Sequence, residues 1–266
     1  MKMKLIIADL DGTLVEKKQV SDQTKETLKR LKEQGYLFTI ATGRHMVATK
    51  ELAKILEVDL PVICGNGAII YDYKNDEIIR KEVLDPRTVE QIMDLCFLHQ
   101  VSFLMYTTKY VVATEEAKDK IHAQIGYFDT HVVKKDQLKD YIDIGVFKIL
   151  AIDEQQEKLM HIKKELSHLN DIYMVQSRPI FLDIGHKDTN KGNTIKHLAK
   201  LLDVNIEDVL AIGDQENDIE MIKTAELGIA MGNGHKNLKR VADDVTDTYE
   251  QDGFTKAIKK HIFRDK

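Results

Sequence analysis

Three short apolar runs near the amino terminus, separated by amphipathic stretches, constrain this chain more than any other feature. They are "KLIIAD" (4–9), "YLFTIATG" (36–43) and "LPVICGN" (60–66), with almost no polar alternation inside them. Strands of that kind are buried on both faces, as in a parallel sheet covered by helices. The intervening segments read as those helices. In "SDQTKETLKRLKEQG" (21–35), Ser21 is placed to cap the start, Leu28 and Leu31 share a face, and Gly35 ends the run. "HMVATKELAKILEV" (45–58) supplies a second helix.

The rhythm then changes. "AIIYD" and "EIIRKEV" flank "YKND" in a hairpin pattern, and "DPRTVEQIMDLCFLHQ" opens a helix with Asp85 as cap and Pro86 at its first position. Short strands and helices follow at hairpin-type spacings to "PIFLDIG" (179–185). From Asn190 the earlier alternation resumes, with helix "NTIKHLAKLLD", strand "DVLAIGD", helix "NDIEMIKTA", strand "LGIAMG" and a terminal helix "GFTKAIKKHIF". The expectation is a doubly wound α/β core, residues 1–81 and 188–266, split by an inserted α+β domain at 82–187. At 266 residues the chain is long enough for both.

Composition narrows the function. A formal net charge of −5 argues against a nucleic-acid or membrane-surface binder, which needs a basic face. Cys64 and Cys96 sit in apolar surroundings without CxxC spacing, and no signal segment precedes the first strand, so a cytoplasmic, reducing setting is expected. The ten histidines are scattered without metal-ligand spacing. "GNGAII" begins like a dinucleotide fingerprint but runs into a hairpin and lacks the third glycine.

Chemistry gathers where the core strands end. The first strand runs into Asp9 and Asp11, whose side chains share one side of an extended segment, and Gly12 lets the chain turn beside them. Such a pair alone is equally an acidic turn. "DVLAIGD" also ends in a carboxylate, Asp214, followed by Asn217 and Asp218, which would serve as well to cap the next helix. Carboxylates delivered by several strands to the carboxyl edge of one sheet suit a hard cation such as Mg²⁺. Thr42 and Gly43 stand where the second strand meets a helix, a place for phosphate oxygens or merely for a turn. Lys191 opens a helix against its dipole, which favours an anionic neighbour over simple exposure. Together these groups suit phosphoryl transfer, where catalysis is mainly positioning and charge neutralisation.

The pattern resembles the haloacid-dehalogenase superfamily of phosphatases, in particular its Cof-like branch (subfamily IIB) with a large cap inserted into the core. "DLDGT" (9–13), "ATGR" (41–44), "KG" (191–192) and "GDQENDIEM" (213–221) match its four motifs in order, and "GNGA" (65–68) and "GIAMGNG…VADDVT…DGF" (228–254) fit the branch. Asp183 stands where glutamate is usual, His186 where proline is usual and Gly234 where alanine is commoner. The resemblance implies that Asp9 attacks phosphorus and that Asp11 protonates the leaving oxygen and then activates water. It implies Mg²⁺ on Asp9, the backbone carbonyl of Asp11, and Asp214. Phosphate oxygens would be held by Thr42, Lys191, Asn217 and the backbone N–H groups of Leu10 and Gly43, with Asp218 orienting the metal shell or Lys191.

The activity so implied is a Mg²⁺-dependent phosphatase of small phosphorylated metabolites, of the sugar phosphate, pyridoxal phosphate or flavin mononucleotide type. Lys109, Tyr110 and Arg178 are candidate substrate contacts in the cap, and no nucleic acid, membrane or obligate protein partner is expected. Two alternatives stand beside it. A sugar phosphomutase of the same fold would need a cap cluster gripping a second phosphate, and no arginine cluster is evident there. A phosphoaspartate signalling switch would need neither the second domain nor the aspartate two residues after the nucleophile.

Overall fold

Leu5 to Ala8 are wholly buried and form the strand around which the amino-terminal and carboxy-terminal parts of the chain assemble. The computed structural model describes residues 3–16, 19–125 and 128–263. The chain begins with β1 (Leu5–Ala8), α1 (Asp22–Glu33), β2 (Leu37–Ile40), α2 (Met46–Ile55), β3 (Val62–Cys64), β4 (Ile69–Asp72) and β5 (Glu77–Lys81). Then come α3 (Pro86–Leu98), β6 (Ser102–Thr107), β7 (Val111–Ala113), α4 (Glu115–Ile125), β8 (His131–Val132), β9 (Val146–Ile152), α5 (Gln156–Glu165), β10 (Ile172–Arg178) and β11 (Phe181–His186). The chain finishes with α6 (Lys191–Leu201), β12 (Val209–Gly213), α7 (Ile219–Thr224), β13 (Leu227–Ala230), α8 (Lys236–Lys239), β14 (Asp244–Val245) and α9 (Gly253–Ile258).

The described residues divide into two compact units. One comprises Met1–Arg44, Thr49–Ile79 and Asn190–Lys266; the other comprises His45–Ala48 and Arg80–Thr189. In the first unit a parallel sheet runs in the order β14-β13-β12-β1-β2. Leu5, Ile7, Val209 and Ala211 on its strands pack with Ile195, Leu198 and Ala199 of α6 and with Met221 and Ile222 of α7. Because all five strands are parallel, their carboxyl ends share one edge, and the residues that follow β1, β2 and β12 meet there.

The caps read from sequence hold the helices. Ser21 Oγ accepts the Thr24 N–H at 3.1 Å, Asp85 Oδ1 accepts the Arg87 N–H at 2.9 Å, and Asn190 Oδ1 accepts the Asn193 N–H at 2.7 Å. The third apolar run keeps a parallel neighbour in the segment after β2, through a single bridge, and also opens a hairpin. β3 pairs antiparallel with β4 in a separate sheet ordered β3-β4-β5. It meets the large sheet through the bridge Ala41–Ile63, where the Thr42 N–H donates to the Ile63 carbonyl at 2.8 Å. The turn at Gly65–Gly67 folds β4 straight back onto β3, leaving the other edge of β3 for the parallel bridge.

The second unit has its own core. Its sheet runs β10-β11-β9-β6-β7-β8, antiparallel except for the β7–β8 pair. Val89, Ile92, Met93 and Cys96 of α3 and Leu159 and Ile162 of α5 pack on Phe103, Met105, Ile149, Ala151, Leu182 and Ile184 from alternate strand positions. Among the described residues no helix is long and apolar enough to cross a membrane.

Candidate active site

β1 delivers Asp9 to the carboxyl edge of the parallel sheet, where its N–H donates to the Ile212 carbonyl of β12 at 2.9 Å. That bond fixes the backbone at the point where the apolar run ends. β12 delivers Asp214 beside it, and Asp218 lies in the single 3-10 turn leading into α7. Carboxylate oxygens of Asp9, Asp214 and Asp218 lie within 4.8 Å of one another, and all three residues are buried. Gly12, at φ +81°, completes the cradle: a Cβ there would stand 2.3 Å from Asp214 Oδ2.

Lys191 holds this acidic group together. Its ammonium, at the buried start of α6, lies 2.5 Å from Asp9 Oδ1 and 2.5 Å from Asp218 Oδ1. Burial works against the charged lysine, but Asp218 and Asp9 outweigh it and hold its pKa above the ordinary value. Asp218 Oδ2 accepts the backbone N–H groups of Asp214 (2.9 Å) and Gln215 (3.0 Å), so both of its oxygens already have donors. It ties Lys191 to the Asp214 backbone.

Asp9 and Asp214 remain under strong electrostatic pressure. Burial pushes Asp9 well above the usual carboxylate range; Lys191 opposes this, and Asp218, Asp214 and Asp11 add to it. Burial also pushes Asp214 up to about 7, with Asp218 adding to the effect. Asp214 Oδ1 is buried with no hydrogen-bond partner, while Oδ2 accepts from Gln215 Nε2 at 2.8 Å. A buried anionic oxygen without a donor, facing other carboxylates, fits a cation ligand. The donor set therefore suits a divalent metal.

Around this centre stand the other residues singled out from sequence. Thr42 is buried after β2, and its Oγ1 accepts the Arg44 N–H at 3.1 Å. Gly43 lies so close to Asn66 that a Cβ would sit 2.7 Å from Asn66 Oδ1. Leu10 is fully buried, and its carbonyl accepts the N–H groups of Leu14 (2.9 Å) and Val15 (2.8 Å) to close the loop after β1. Asn217 donates from Nδ2 to Asn66 Oδ1 at 2.9 Å. The Asp11 side chain is 45% exposed and forked by Arg44, with Nε to Oδ2 at 2.7 Å and Nη2 to Oδ1 at 2.6 Å.

Two residues of this site have no role assigned from sequence, Arg44 and Asn66. Arg44 lay in plain view in the "ATGR" run, but nothing in sequence ties it to Asp11, 33 positions away. Asn66 hides between two glycines that read as turn chemistry. Its backbone at φ +60°, a conformation asparagine tolerates better than most residues, is the local sign that it has a specific task.

Lys109, Tyr110 and Arg178 lie in the second unit. Lys109 and Tyr110 occupy the turn after β6, where Thr107 pairs with Val146. Arg178 pairs with Phe181, which in turn pairs with Ile152 at the far end of β9. Tyr110 stacks on His131 (5.2 Å between centroids), whereas Arg178 reaches the Gln124 carbonyl at 3.4 Å. The register puts the two sets at opposite ends of β9, roughly 20 Å apart at about 3.3 Å per residue, so they do not form one contact set.

Comparison with known proteins agrees with this geometry. Residues 6–258 match the family model of haloacid dehalogenase-like hydrolases. The chain is 30% identical to a 5-amino-6-(5-phospho-D-ribitylamino)uracil phosphatase of Bacillus subtilis, covering 98% of this chain and 96% of that one. It is 28% identical to a pyridoxal phosphate phosphatase of Escherichia coli, over 98% of this chain and all (100%) of the other. A crystal structure of a haloacid dehalogenase-like hydrolase from Bacteroides thetaiotaomicron superposes with a TM-score of 0.86 at 30% identity, covering 97% and 99% of the two chains. With a parallel core sheet, an inserted mixed sheet and the acidic cluster at the sheet edge, the chain belongs to the haloacid dehalogenase-like hydrolases and is a phosphatase of their Cof-like branch.

Proposed function

We propose that the chain is a Mg²⁺-dependent hydrolase of small phosphomonoesters that works through an aspartyl-phosphate on Asp9. The observation that carries this is the buried set Asp9–Lys191–Asp218 beside Asp214: a carboxylate held at a strand end by a lysine, with a second, donor-poor carboxylate next to it. An Asp9 oxygen attacks phosphorus as the ester P–O bond breaks, and the leaving oxygen takes a proton from Asp11. Water then attacks the phosphoaspartate, giving its proton to Asp11 and releasing phosphate and free Asp9. Thr42, Lys191, Asn217 and the Leu10 and Gly43 N–H groups hold the phosphate oxygens, where preset donors stabilise the charge of the transition state. Asp9, the Asp11 carbonyl and Asp214 would hold the Mg²⁺. When bound, the ion offsets the repulsion between an anionic nucleophile and an anionic phosphate.

We assign residues 1–81 and 188–266 to catalysis and 82–187 to selecting the substrate. Sugar phosphates, pyridoxal phosphate and flavin mononucleotide are the substrate types in view; the phosphorylated ring compounds named for the two relatives support that class. The test is phosphate release from p-nitrophenyl phosphate. Asp9→Asn abolishes it, EDTA silences the wild type and Mg²⁺ restores it; turnover retained by Asp9→Asn overturns the reading. A phosphate-release screen over phosphorylated metabolites then identifies the substrate.

A further inference from the structure

The reaction above uses Asp11 but gives no task to the arginine forked onto it. Asp11 lies in the loop after β1 with 45% of its side chain exposed, a place where a lone aspartate samples several rotamers. Two parallel N–H···O bonds, at 2.7 and 2.6 Å, remove that freedom and set the plane of the carboxyl group. The arginine is itself anchored from both sides. Its N–H is held by Thr42 Oγ1 at 3.1 Å, its carbonyl accepts the Gly65 N–H at 2.9 Å, and its side chain is only 16% exposed. A fork from so fixed a root is a spatial reference for Asp11. A carboxyl group has about four acceptor positions, and the fork takes one on each oxygen, leaving the others for a reacting group.

Resting on the phosphatase reading above, we propose that Arg44 is a positioning residue for Asp11 and governs how well the enzyme expels a basic leaving oxygen. In the first half-reaction the ester P–O bond breaks, the Asp9–phosphorus bond forms, and the departing electron pair takes the Asp11 proton. A p-nitrophenolate leaves with little help, whereas an unsubstituted phenolate or an alkoxide depends on a well-aimed donor. A metabolite alcohol is of the second kind. Misaiming Asp11 therefore penalises basic leaving groups selectively, which loss of a phosphate contact or general loosening of the fold does not.

The test compares p-nitrophenyl phosphate with phenyl phosphate, in Mg²⁺, for the wild type, Arg44→Lys and Arg44→Ala. In Arg44→Ala, kcat/KM for phenyl phosphate falls roughly tenfold further than for p-nitrophenyl phosphate, while inhibition by inorganic phosphate stays within about threefold of wild type. Arg44→Lys keeps the charge without the fork and falls between the two; if Arg44→Ala does not fold, the same selective loss in Arg44→Lys decides. Equal losses on both esters, a loss tracked by weaker phosphate inhibition, or no loss overturns the assignment. A wild type that hydrolyses neither ester, or an Asp9→Asn variant that still turns over, instead overturns the reading on which it rests.

Discussion

Lys191 shows most sharply what one residue does here. It is the positive charge between two buried carboxylates, so replacing it leaves both buried beside other acids without that counter-charge. Removing one partner of a buried ion pair commonly costs about 3–5 kcal/mol. Lys191→Met is therefore expected to lower the unfolding free energy measured by urea titration by an amount in that range, and adding Asp218→Asn should restore part of the loss by removing one orphaned charge. His45 makes a separate prediction in the second unit. Its ring stacks on Phe147 (5.4 Å between centroids), meets Tyr106 edge-on and places Nε2 2.8 Å from the Thr107 carbonyl, while Nδ1 accepts the Val47 N–H at 3.1 Å. Burial pushes its pKa down to about 4, with Lys148 adding to the effect. The folded chain keeps His45 neutral where the unfolded chain takes up a proton, so this stability is present above about pH 6.5 and drains away toward pH 4. The loss is about 3 kcal/mol, and a pH series of urea unfolding should be flatter in His45→Asn by that order.

Among the elements, the turn between β3 and β4 does more than reverse the chain. Asn66 engages Asn217 from the segment before α7, and Gly67 accepts the Thr194 hydroxyl of α6 at 2.8 Å. Gly67 sits at φ +106°, and a Cβ there would stand 2.6 Å from the Asn190 carbonyl, one residue before Lys191. Gly67→Ala forces a shift between this turn and the start of α6, which carries Lys191. A displacement of about 1 Å at a reacting group can cost a hundredfold, so kcat on p-nitrophenyl phosphate is expected to fall roughly ten- to a hundredfold. Melting measured alongside separates that loss from unfolding.

For the whole molecule, the carboxyl edge makes a folded state that a divalent ion is expected to stabilise. Asp9 and Asp214 are held above their ordinary pKa by burial and by neighbouring acids, so a bound cation relieves a strain the unfolded chain does not have. Saturating Mg²⁺ should raise the melting temperature, with about 2.7 kcal/mol gained at a hundred times Kd. Asp214→Asn should lose most of that shift, and a calorimetric scan with and without EDTA checks both.

Much of this architecture was legible because it depends on local pattern. Continuous apolar runs mark β1 and β2, short polar residues before helices mark the caps at Ser21, Asp85 and Asn190, and the strand ends mark where acids collect. The buried run of β3 places it parallel beside the second strand, as the Ala41–Ile63 bridge bears out, but its composition does not show that β4 pairs antiparallel along its other edge. Pairings across long separations were out of reach: Arg44 with Asp11 and Asn66 with Asn217. The separation of Tyr110 from Arg178 likewise follows from strand register. The sequence by itself determined which chemical groups the chain owns and which strand ends carry them, because burial periodicity and capping act over a few residues. Only the tertiary structure decided which of those groups touch, because distance and orientation are set by packing between segments the chain keeps far apart.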